Sequence, residues 1–248
     1  MVLVSGIGQA GKMPHYLRAN FLHGLHGRTL AHATGVKLAN PDLTVIAIGG
    51  DGDIYGEGGG HLLTAFRRNI DITCLVHNNG VYGLTRGQAS PTREQGTRDK
   101  THPAGVTMPP FNPIAVGLAA GGTFVARGFA GEKEHLAGLI GEAVRHRGFG
   151  FIDILQPCVT YNRVNTFKWY EERLYDLAHE QYDPTDRAQA FARSLEWPEQ
   201  GDERVAFGVF YRAQRDTHEA RLPALKKGAL RGGPADPAVL RKAIDELR

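Results

Sequence analysis

The sequence predicts an α/β fold built on a doubly wound parallel sheet. Short apolar runs rich in β-branched residues recur through the first 155 residues, and helical patterns lie between them. Strands that alternate with helices in this way form parallel sheets covered by helices on both faces. At 248 residues, the chain is long enough for one large domain or two small ones.

The central elements follow in order from residue 43. The run 43–48 is apolar, β-branched and followed by two glycines, which predicts a buried parallel strand. Residues 57–68 have a helical pattern, and residues 71–76 form the next predicted strand, so the three make a βαβ unit. A helix, a strand, a helix and a strand are then predicted over residues 113–120, 123–126, 132–146 and 149–155.

Two regions depart from this alternation. Residues 83–111 are polar and contain four prolines, and a loop of that length in a compact domain is usually functional. Beyond about residue 165 the chain becomes polar and helical, with one more strand predicted at 205–211 and a last helix over 234–248 that starts near Pro237. We therefore expect an α/β domain over residues 1–165 and a C-terminal extension over 166–248, packed on that domain or on a partner subunit.

Composition narrows the class of function. The net charge of +3 is too small and dispersed to indicate a nucleic-acid partner, and no apolar stretch reaches the ~18–20 residues that span a bilayer. Two cysteines and the lack of a signal-peptide pattern at the start predict a cytoplasmic protein. Basic residues and histidines precede Asp42, the first acidic residue; they suit an anionic ligand or acidic partner, or form a simple solvated face.

Two nucleotide-binding motifs are only partly matched near the amino terminus. Residues 6–11 follow a short apolar run and fit the dinucleotide pattern, but the acidic residue needed about 20 positions later is missing. The same residues with Lys12 nearly form a P-loop, yet Met13 stands where a hydroxyl would bind magnesium. What remains is a glycine turn that presents Lys12 and His15 to a ligand.

The strongest functional signal is a pair of short motifs at the ends of neighbouring strands. They are Gly50-Asp51-Gly52-Asp53 and, 25 residues beyond Gly52, Asn78-Asn79. Asp51 and Asn79 each supply a hard oxygen, and a backbone carbonyl two residues after Asn79 supplies a third, which suits Mg²⁺ completed by phosphate oxygens and water. The glycines leave room for phosphates, so the pattern predicts a metal and diphosphate clamp.

Simpler interpretations of the two motifs remain open when each is taken alone. Asp51 could open a calcium loop, but Tyr55 occupies a ligand position and Leu62 stands where the bidentate glutamate belongs. The Asn-Asn-Gly sequence at 78–80 is typical of a turn. Their pairing across one βαβ unit favours the clamp.

With their flanking residues, the motifs resemble the β subunits of 2-oxoacid:ferredoxin oxidoreductases, which bind thiamine diphosphate. Further segments that carry the resemblance are Ser5–Gly8, Gly11–Tyr16, His23–Arg28, Ala33–Pro41 and Val81–Thr92. The likeness is dense from residue 5 to about 165, and is strongest to the compact branch acting on 2-oxoglutarate or on 2-oxoacids broadly. It implies a thiamine-diphosphate-binding type of doubly wound sheet with a helical C-terminal extension.

The resemblance also implies roles for individual residues. Asp51, Asn79 and the carbonyl of Val81 would bind Mg²⁺. Thiamine diphosphate would be bound by His26, Gly27, Arg28, Gly50, Asp51, Gly52, Asp53, Asn79, Val81, Tyr82, Gly83 and Leu84. Lys12 and Arg86 match basic positions near the substrate carboxylate and are the catalytic candidates. The family usually carries lysine where Arg86 stands, so charge is kept but hydrogen-bond geometry changes.

The activity implied is oxidative decarboxylation of a 2-oxoacid, with 2-oxoglutarate the first candidate, to an acyl-CoA and CO₂. The partners implied are an α subunit, ferredoxin, the 2-oxoacid and coenzyme A, without nucleic acid or membrane. In this family the α subunit supplies the glutamate that activates the aminopyrimidine, so this chain is expected to form half of an active site at a heterodimer interface.

The chain departs from the family at the iron–sulfur ligands. A 4Fe–4S cluster is normally held by an amino-terminal Cys-x-x-Cys, a cysteine after the Ser-Gly-Ile-Gly turn and one after the last core strand. Here that amino-terminal pair has no counterpart, Gln9 stands at the third position and only Cys158 remains. One thiolate cannot hold a cubane cluster, which argues against one in this chain. A non-oxidative two-subunit decarboxylase and a non-catalytic partner subunit are therefore the alternatives.

Overall fold

The computed structural model describes residues 1–198, 203–229 and 237–246. The strands in that part of the chain are β1 (Val2–Ser5), β2 (Asn20–His23), β3 (Val45–Gly50), β4 (Thr73–Asn78), β5 (Val81–Tyr82), β6 (Gln88–Ala89), β7 (Phe124–Phe129), β8 (Gly150–Leu155), β9 (Leu174–Asp176) and β10 (Val205–Arg212). The α-helices are α1 (Thr29–Ala39), α2 (Gly59–Arg68), α3 (Pro113–Ala119), α4 (Lys133–Arg145), α5 (Phe167–Glu171), α6 (Arg187–Ser194) and α7 (Pro237–Asp245).

Eight strands form one sheet in the order β2-β1-β3-β4-β8-β7-β10-β9, and β5 and β6 form a separate hairpin. The six strands from β2 to β7 are parallel, and β10 runs antiparallel to β7. Because β1 pairs with both β2 and β3, the strand order changes direction there. Ligands of such sheets bind at the carboxyl ends of the strands beside that switch point. The predicted doubly wound α/β fold is therefore confirmed.

The core forms because the central strands are apolar on both faces. β8 is buried along its whole length, and β3 and β4 are buried except at one position each. On one face Phe66 of α2 is fully buried and packs edge-on against Phe149 and Phe151. Such continuous apolar runs require helices on both faces, which α1, α2, α3 and α4 provide.

Element boundaries differ from the predictions mainly at the site. The strand predicted at 43–48 is β3 and runs on to Gly50, and the strand predicted at 71–76 is β4 and runs on to Asn78. The helix predicted over 57–68 begins at Gly59, since a π-helical turn, Gly52–Glu57, precedes it. Helices α3 and α4 and strands β7 and β8 lie where predicted, within one residue at their starts.

The C-terminal extension contributes to the main sheet as well as to the surface. β10, the predicted strand at 205–211, pairs with β7 and buries Phe210 in the main core. β9 was not predicted and lies at the sheet edge beside β10, so the extension is not solely helical. Helix α7 begins at Pro237 as predicted, while residues 234–236 and 247–248 of that prediction lie outside the described residues. No helix in the described part of the chain has the length and apolar character to cross a bilayer.

We expect Phe66→Ala to lower the free energy of unfolding by about 3–5 kcal/mol, because the truncation opens a cavity between α2 and β8. Leu63→Ala is the matched control on the same helix, since Leu63 is 48% exposed; its effect is expected to stay within about 0.5 kcal/mol. Urea unfolding followed by circular dichroism measures both. Equal losses in the two variants would contradict this description of the core.

Candidate functional site

Three strand ends meet at one edge of the sheet. β1, β3 and β4 are adjacent, with Ser5 beside Ile48 and Gly50 beside His77, so the turns that follow these strands converge. Together they surround a cavity of about 290 Å³. Of the predicted site residues, those lining it are His26, Gly50, Asp51, Gly52, Asp53, Asn79, Val81, Tyr82, Gly83 and Leu84.

Asp51 is the most constrained side chain of the cavity. It is 2% exposed, and one oxygen, Oδ2, accepts hydrogen bonds from Gly80 N (2.9 Å), Ser90 Oγ (2.6 Å) and Thr92 Oγ1 (2.9 Å). The other oxygen, Oδ1, accepts only from Gly52 N (3.0 Å) among the described residues. Burial raises the pKa of this carboxyl, because desolvation disfavours the charged form more than these donors favour it. The uneven division of donors leaves Oδ1 with lone-pair capacity for a cation.

The loop that follows β4 is tied directly to Asp51. Gly80 donates its N–H to Asp51 from a left-handed conformation, with φ of +72°. Asn79 Oδ1 accepts from Val81 N (3.0 Å), and the Asn79 carbonyl accepts from Asn162 Nδ2 (3.0 Å). These bonds preset the amide oxygen of Asn79. The two motifs, separated along the chain, are thus joined by a hydrogen bond.

The glycine after Asp51 is required by a close approach. The side chain of Asp51 caps the π-helical turn 52–57 by accepting from Gly52 N. A Cβ at Gly52 would lie 2.3 Å from Cε1 of Tyr82, so the aromatic ring can lie against the turn only because glycine is there. The Tyr82 hydroxyl then donates to Glu57 Oε1 (3.2 Å) at the far end of the turn. Tyr82 therefore forms one wall of the cavity.

Asp53 connects the turn 52–57 to the start of α1. Its carboxylate accepts from Gly27 N (2.6 Å) and Thr29 Oγ1 (2.8 Å), and His26 Nδ1 lies 3.5 Å away. Burial raises its pKa, and the two hydrogen bonds and the nearby imidazole oppose that rise. His26 also lies 3.0 Å from Glu57 Oε2. The segment 26–29 is thereby held against the Gly50–Asp53 turn.

Three predicted basic residues lie outside the wall of the cavity. Lys12 is exposed in the 3₁₀ segment Ala10–Tyr16, of which Ala10 lines the cavity. Arg86 is exposed in the β5–β6 turn with φ of +82°, next to Thr85, which also lines the cavity. Arg28 is exposed and its guanidinium donates to the carbonyl of Gly27 (3.3 Å). The structure thus places all three beside the cavity rather than in it.

The donor set of this cavity fits a hard divalent cation. No group of three or more His, Cys, Asp or Glu side chains suited to a metal occurs in residues 1–198, 203–229 and 237–246. A metal here would therefore use one carboxylate with amide and carbonyl oxygens, a set that suits Mg²⁺ better than softer ions. The calcium-loop alternative does not fit, because Tyr55 and Leu62 are buried in the π turn and α2.

Sequence reasoning missed several residues that shape the cavity. Ser90 and Thr92, the hydroxyls that hold Asp51, lie in the long loop whose chemistry was not predicted in detail. His77 at the end of β4 contacts Gln156 through Nδ1, and burial lowers its pKa. Gln156 also lines the cavity, and so do Gln9 and Cys158, which were already named from the sequence. The sequence shows that these residues are polar, but it does not show that they meet at one cavity.

Known proteins resemble this chain in sequence and in fold. Residues 6–154 match the family described as "Thiamine pyrophosphate enzyme, C-terminal TPP binding domain", and residues 158–227 match the family of the C-terminal part of the pyruvate ferredoxin oxidoreductase β chain. The 2-oxoacid:ferredoxin oxidoreductase subunit beta of a Sulfolobus species is 46% identical over 248 residues, which amount to 95% of this chain and 80% of that protein.

Two further relatives have narrower names. The 2-oxoglutarate synthase subunit KorB of Archaeoglobus fulgidus is 44% identical over 163 residues, which amount to 66% of this chain and 61% of that protein. A solved structure of 2-oxoglutarate:ferredoxin oxidoreductase from Magnetococcus marinus, with 2-oxoglutarate, coenzyme A and succinyl-CoA bound, superposes with a TM-score of 0.87 at 33% identity. That superposition covers 98% of this chain and 82% of that one.

The two cysteines are expected to differ sharply in reactivity. Cys74 is fully buried in β4, and burial raises the pKa of its thiol far above the ordinary value, whereas Cys158 is partly exposed at the cavity. Since the thiolate is the nucleophile, iodoacetamide at pH ~8 should alkylate Cys158 in the folded protein and reach Cys74 only after unfolding. Peptide mass spectrometry measures both sites, with Cys158→Ala as the control. Rapid alkylation of Cys74 in the folded chain would contradict its placement.

Proposed function

Because this chain belongs to the family of 2-oxoacid:ferredoxin oxidoreductase β subunits, we propose that its cavity binds thiamine diphosphate with Mg²⁺. With an α subunit it would catalyse the oxidative decarboxylation of a 2-oxoacid, 2-oxoglutarate before others, to acyl-CoA and CO₂. Ferredoxin would accept the electrons. The names of the KorB relatives and of the M. marinus structure support 2-oxoglutarate as the substrate.

The observation that carries this proposal is the bond between the two clamp motifs. Gly80 N donates to Asp51 Oδ2, while Asp51 Oδ1 and Asn79 Oδ1 each retain lone-pair capacity at the carboxyl ends of β3 and β4. Two preset hard oxygens at that edge suit a cation that bridges protein and diphosphate. The residues that would hold Mg²⁺ are Asp51, Asn79 and, through its carbonyl, Val81.

Glycine on both sides of Asp51 shapes the same cavity. Gly50 lines it without a side chain that would block a phosphate, the Tyr82 ring lies against Gly52, and Asp53 holds the segment at Gly27 close to them. Tyr82 and Leu84 add apolar surface to the wall of the cavity. When bound, thiamine diphosphate supplies an electron sink for the carbon that loses CO₂.

Substrate recognition falls to Lys12 and Arg86 in this proposal. 2-Oxoglutarate carries two carboxylates, and two exposed cations beside the cavity can each attract one. Arg86 presents a fork of donors to a carboxylate, whereas Lys12 presents a point charge. Both side chains are long and lie outside the wall, so their final positions would be set when the cavity is covered by the α subunit.

A non-oxidative decarboxylase is the second candidate, and one observation favours it. Gln9 and Cys158 both line the cavity. They offer one amide and one thiol, where the family resemblance implies two thiolate ligands of a 4Fe–4S cluster. An amide is not a ligand for iron in such clusters. Electron transfer in the first candidate therefore needs an acceptor held elsewhere in the assembly.

The function is tested on the full chain co-expressed with its α partner. With 2-oxoglutarate, coenzyme A, thiamine diphosphate and Mg²⁺, we expect methyl viologen reduction that depends on coenzyme A, and its loss in Asp51→Ala. Asp42→Ala, at an exposed carboxylate, is the matched control and should retain activity. Release of CO₂ with aldehyde formation and without viologen reduction would support the non-oxidative candidate instead.

We expect Lys12→Met and Arg86→Met each to raise KM for 2-oxoglutarate by about 10- to 100-fold, as loss of one charge-assisted hydrogen bond predicts. Steady-state kinetics with pyruvate as a second substrate show which carboxylate each cation binds, because pyruvate lacks the distal one. Arg18→Met, at another exposed cation of the amino-terminal segment, is the control. An unchanged KM in both variants would remove these residues from the substrate site.

A further inference from the structure

A buried carboxylate lies directly beneath the clamp, and none of the roles above uses it. Asp153 of β8 is fully buried. Its Oδ1 accepts from the Tyr55 hydroxyl (2.8 Å) and from Asn78 Nδ2 (3.0 Å), and its Oδ2 accepts from Arg127 Nε (3.2 Å). Burying a carboxylate is destabilising in itself, so a group with this set of donors needs a structural reason.

The two donors to Oδ1 belong to the two halves of the clamp. Tyr55 lies in the π-helical turn that Asp51 begins, and Asn78 immediately precedes Asn79. Asp153 therefore fixes both ligand-bearing segments to one point of the sheet. Because β8 pairs with β4 along its whole length, with Val76 beside Asp153, that point is rigid.

Arg127 stabilises the buried charge of Asp153 in the core. It is 3% exposed, its NH1 donates to the Ala206 carbonyl (3.3 Å), and its guanidinium lies over the rings of Trp197 and Phe210. A buried carboxylate paired with a cation that is itself fixed keeps its orientation. Asp153 is thus held by β7 and β8, and the clamp segments are held by Asp153.

A second connection runs through Thr92. Its hydroxyl lies 2.9 Å from Asp51 Oδ2 and 2.7 Å from Asn78 Oδ1, and it has one proton to donate to either oxygen. The Asn78 amide cannot flip to offer Nδ2 to Thr92 in place of Oδ1, because Nδ2 donates to Asp153. Thr92 therefore donates either to Asp51 or to Asn78 at a given moment, and it lies between the segment that Asp153 holds and the carboxylate of Asp51.

We propose that Asp153 is a positioning residue that holds Asp51 and Asn79 at the separation that Mg²⁺ requires. It acts through Tyr55 on one side and Asn78 on the other, and it does not touch the metal or cofactor. The inference rests on the proposed function, because it assumes that Asp51 and Asn79 bind the metal. Residues that orient metal ligands typically affect metal affinity by about 10- to 100-fold when changed.

The test compares metal affinity with stability in variants of the full chain with its α partner. Tyr55→Phe removes one donor and keeps the ring, and Asp153→Asn keeps the shape but removes the charge that Arg127 and two donors face. A calorimetric titration with Mg²⁺ in the presence of thiamine diphosphate should show that the Mg²⁺ affinity is lowered about 10- to 100-fold in both variants. The Mn²⁺-substituted site should show an altered electron paramagnetic resonance spectrum, since its ligands shift.

Tyr175→Phe is the matched control, because it removes a phenol hydroxyl that donates to Glu196 from β9, the edge strand of the sheet. It should lower the melting temperature without changing Mg²⁺ affinity or the Mn²⁺ spectrum. Should Asp153→Asn fail to fold, Tyr55→Phe alone decides. The proposal would be overturned if Tyr55→Phe leaves the Mg²⁺ affinity and the Mn²⁺ spectrum unchanged although Asp51→Ala abolishes metal binding. If Asp51→Ala also binds Mg²⁺ normally, the clamp itself, and with it the proposed function, is wrong.

Discussion

The site depends on one buried carboxylate that joins two strand ends. Asp51 follows β3, and its Oδ2 receives the N–H of Gly80, which follows β4, together with the hydroxyls of Ser90 and Thr92. Without this carboxylate, three donors in the turns would lose their acceptor inside the protein, where an unmet donor is strongly destabilising. The same bonds leave the second oxygen available, so one side chain closes the loops and, in the proposed function, offers an oxygen to the metal.

Burial makes the charged form of that carboxylate unfavourable when no cation is bound. It raises the pKa of Asp51 and of Asp53, so the metal-free protein holds these charges at a cost. For a carboxyl whose folded pKa lies above its unfolded value, the protein is more stable below the unfolded pKa and loses that advantage as pH rises through the folded pKa. A cation bound at Asp51, as in the proposed function, would supply the missing counter-charge and would compete with the proton for this carboxyl. The buried charge of this cavity would therefore be stabilised by a bound cation.

The fold makes this arrangement available through strand order. β1 lies between β2 and β3, so the chain passes from β1 to one side of the sheet and from β3 to the other, and the cavity lies at the turns that follow these two strands. Strands β4, β8 and β7 continue the sheet and carry the buried polar chain from Asn78 to Arg127 beneath it. The C-terminal extension completes that support, because β10 supplies the Ala206 carbonyl and the Phe210 ring that fix Arg127. A region that looked peripheral thus stabilises the floor of the site.

The sequence alone was sufficient for the fold class, for strands β3, β4, β7 and β8, for helices α2, α3 and α4, and for Asp51 and Asn79 as neighbours. The period of the apolar residues and the spacing of the glycines are local properties of single elements, so they are visible directly in the sequence. Tertiary structure decided the rest: the hydroxyls of Ser90 and Thr92 on Asp51, the π turn that moved the start of α2, strand β9, and the burial of Asp153. Each of these depends on contacts between segments far apart in the chain, and no local pattern of residues encodes which donor will reach a buried acceptor.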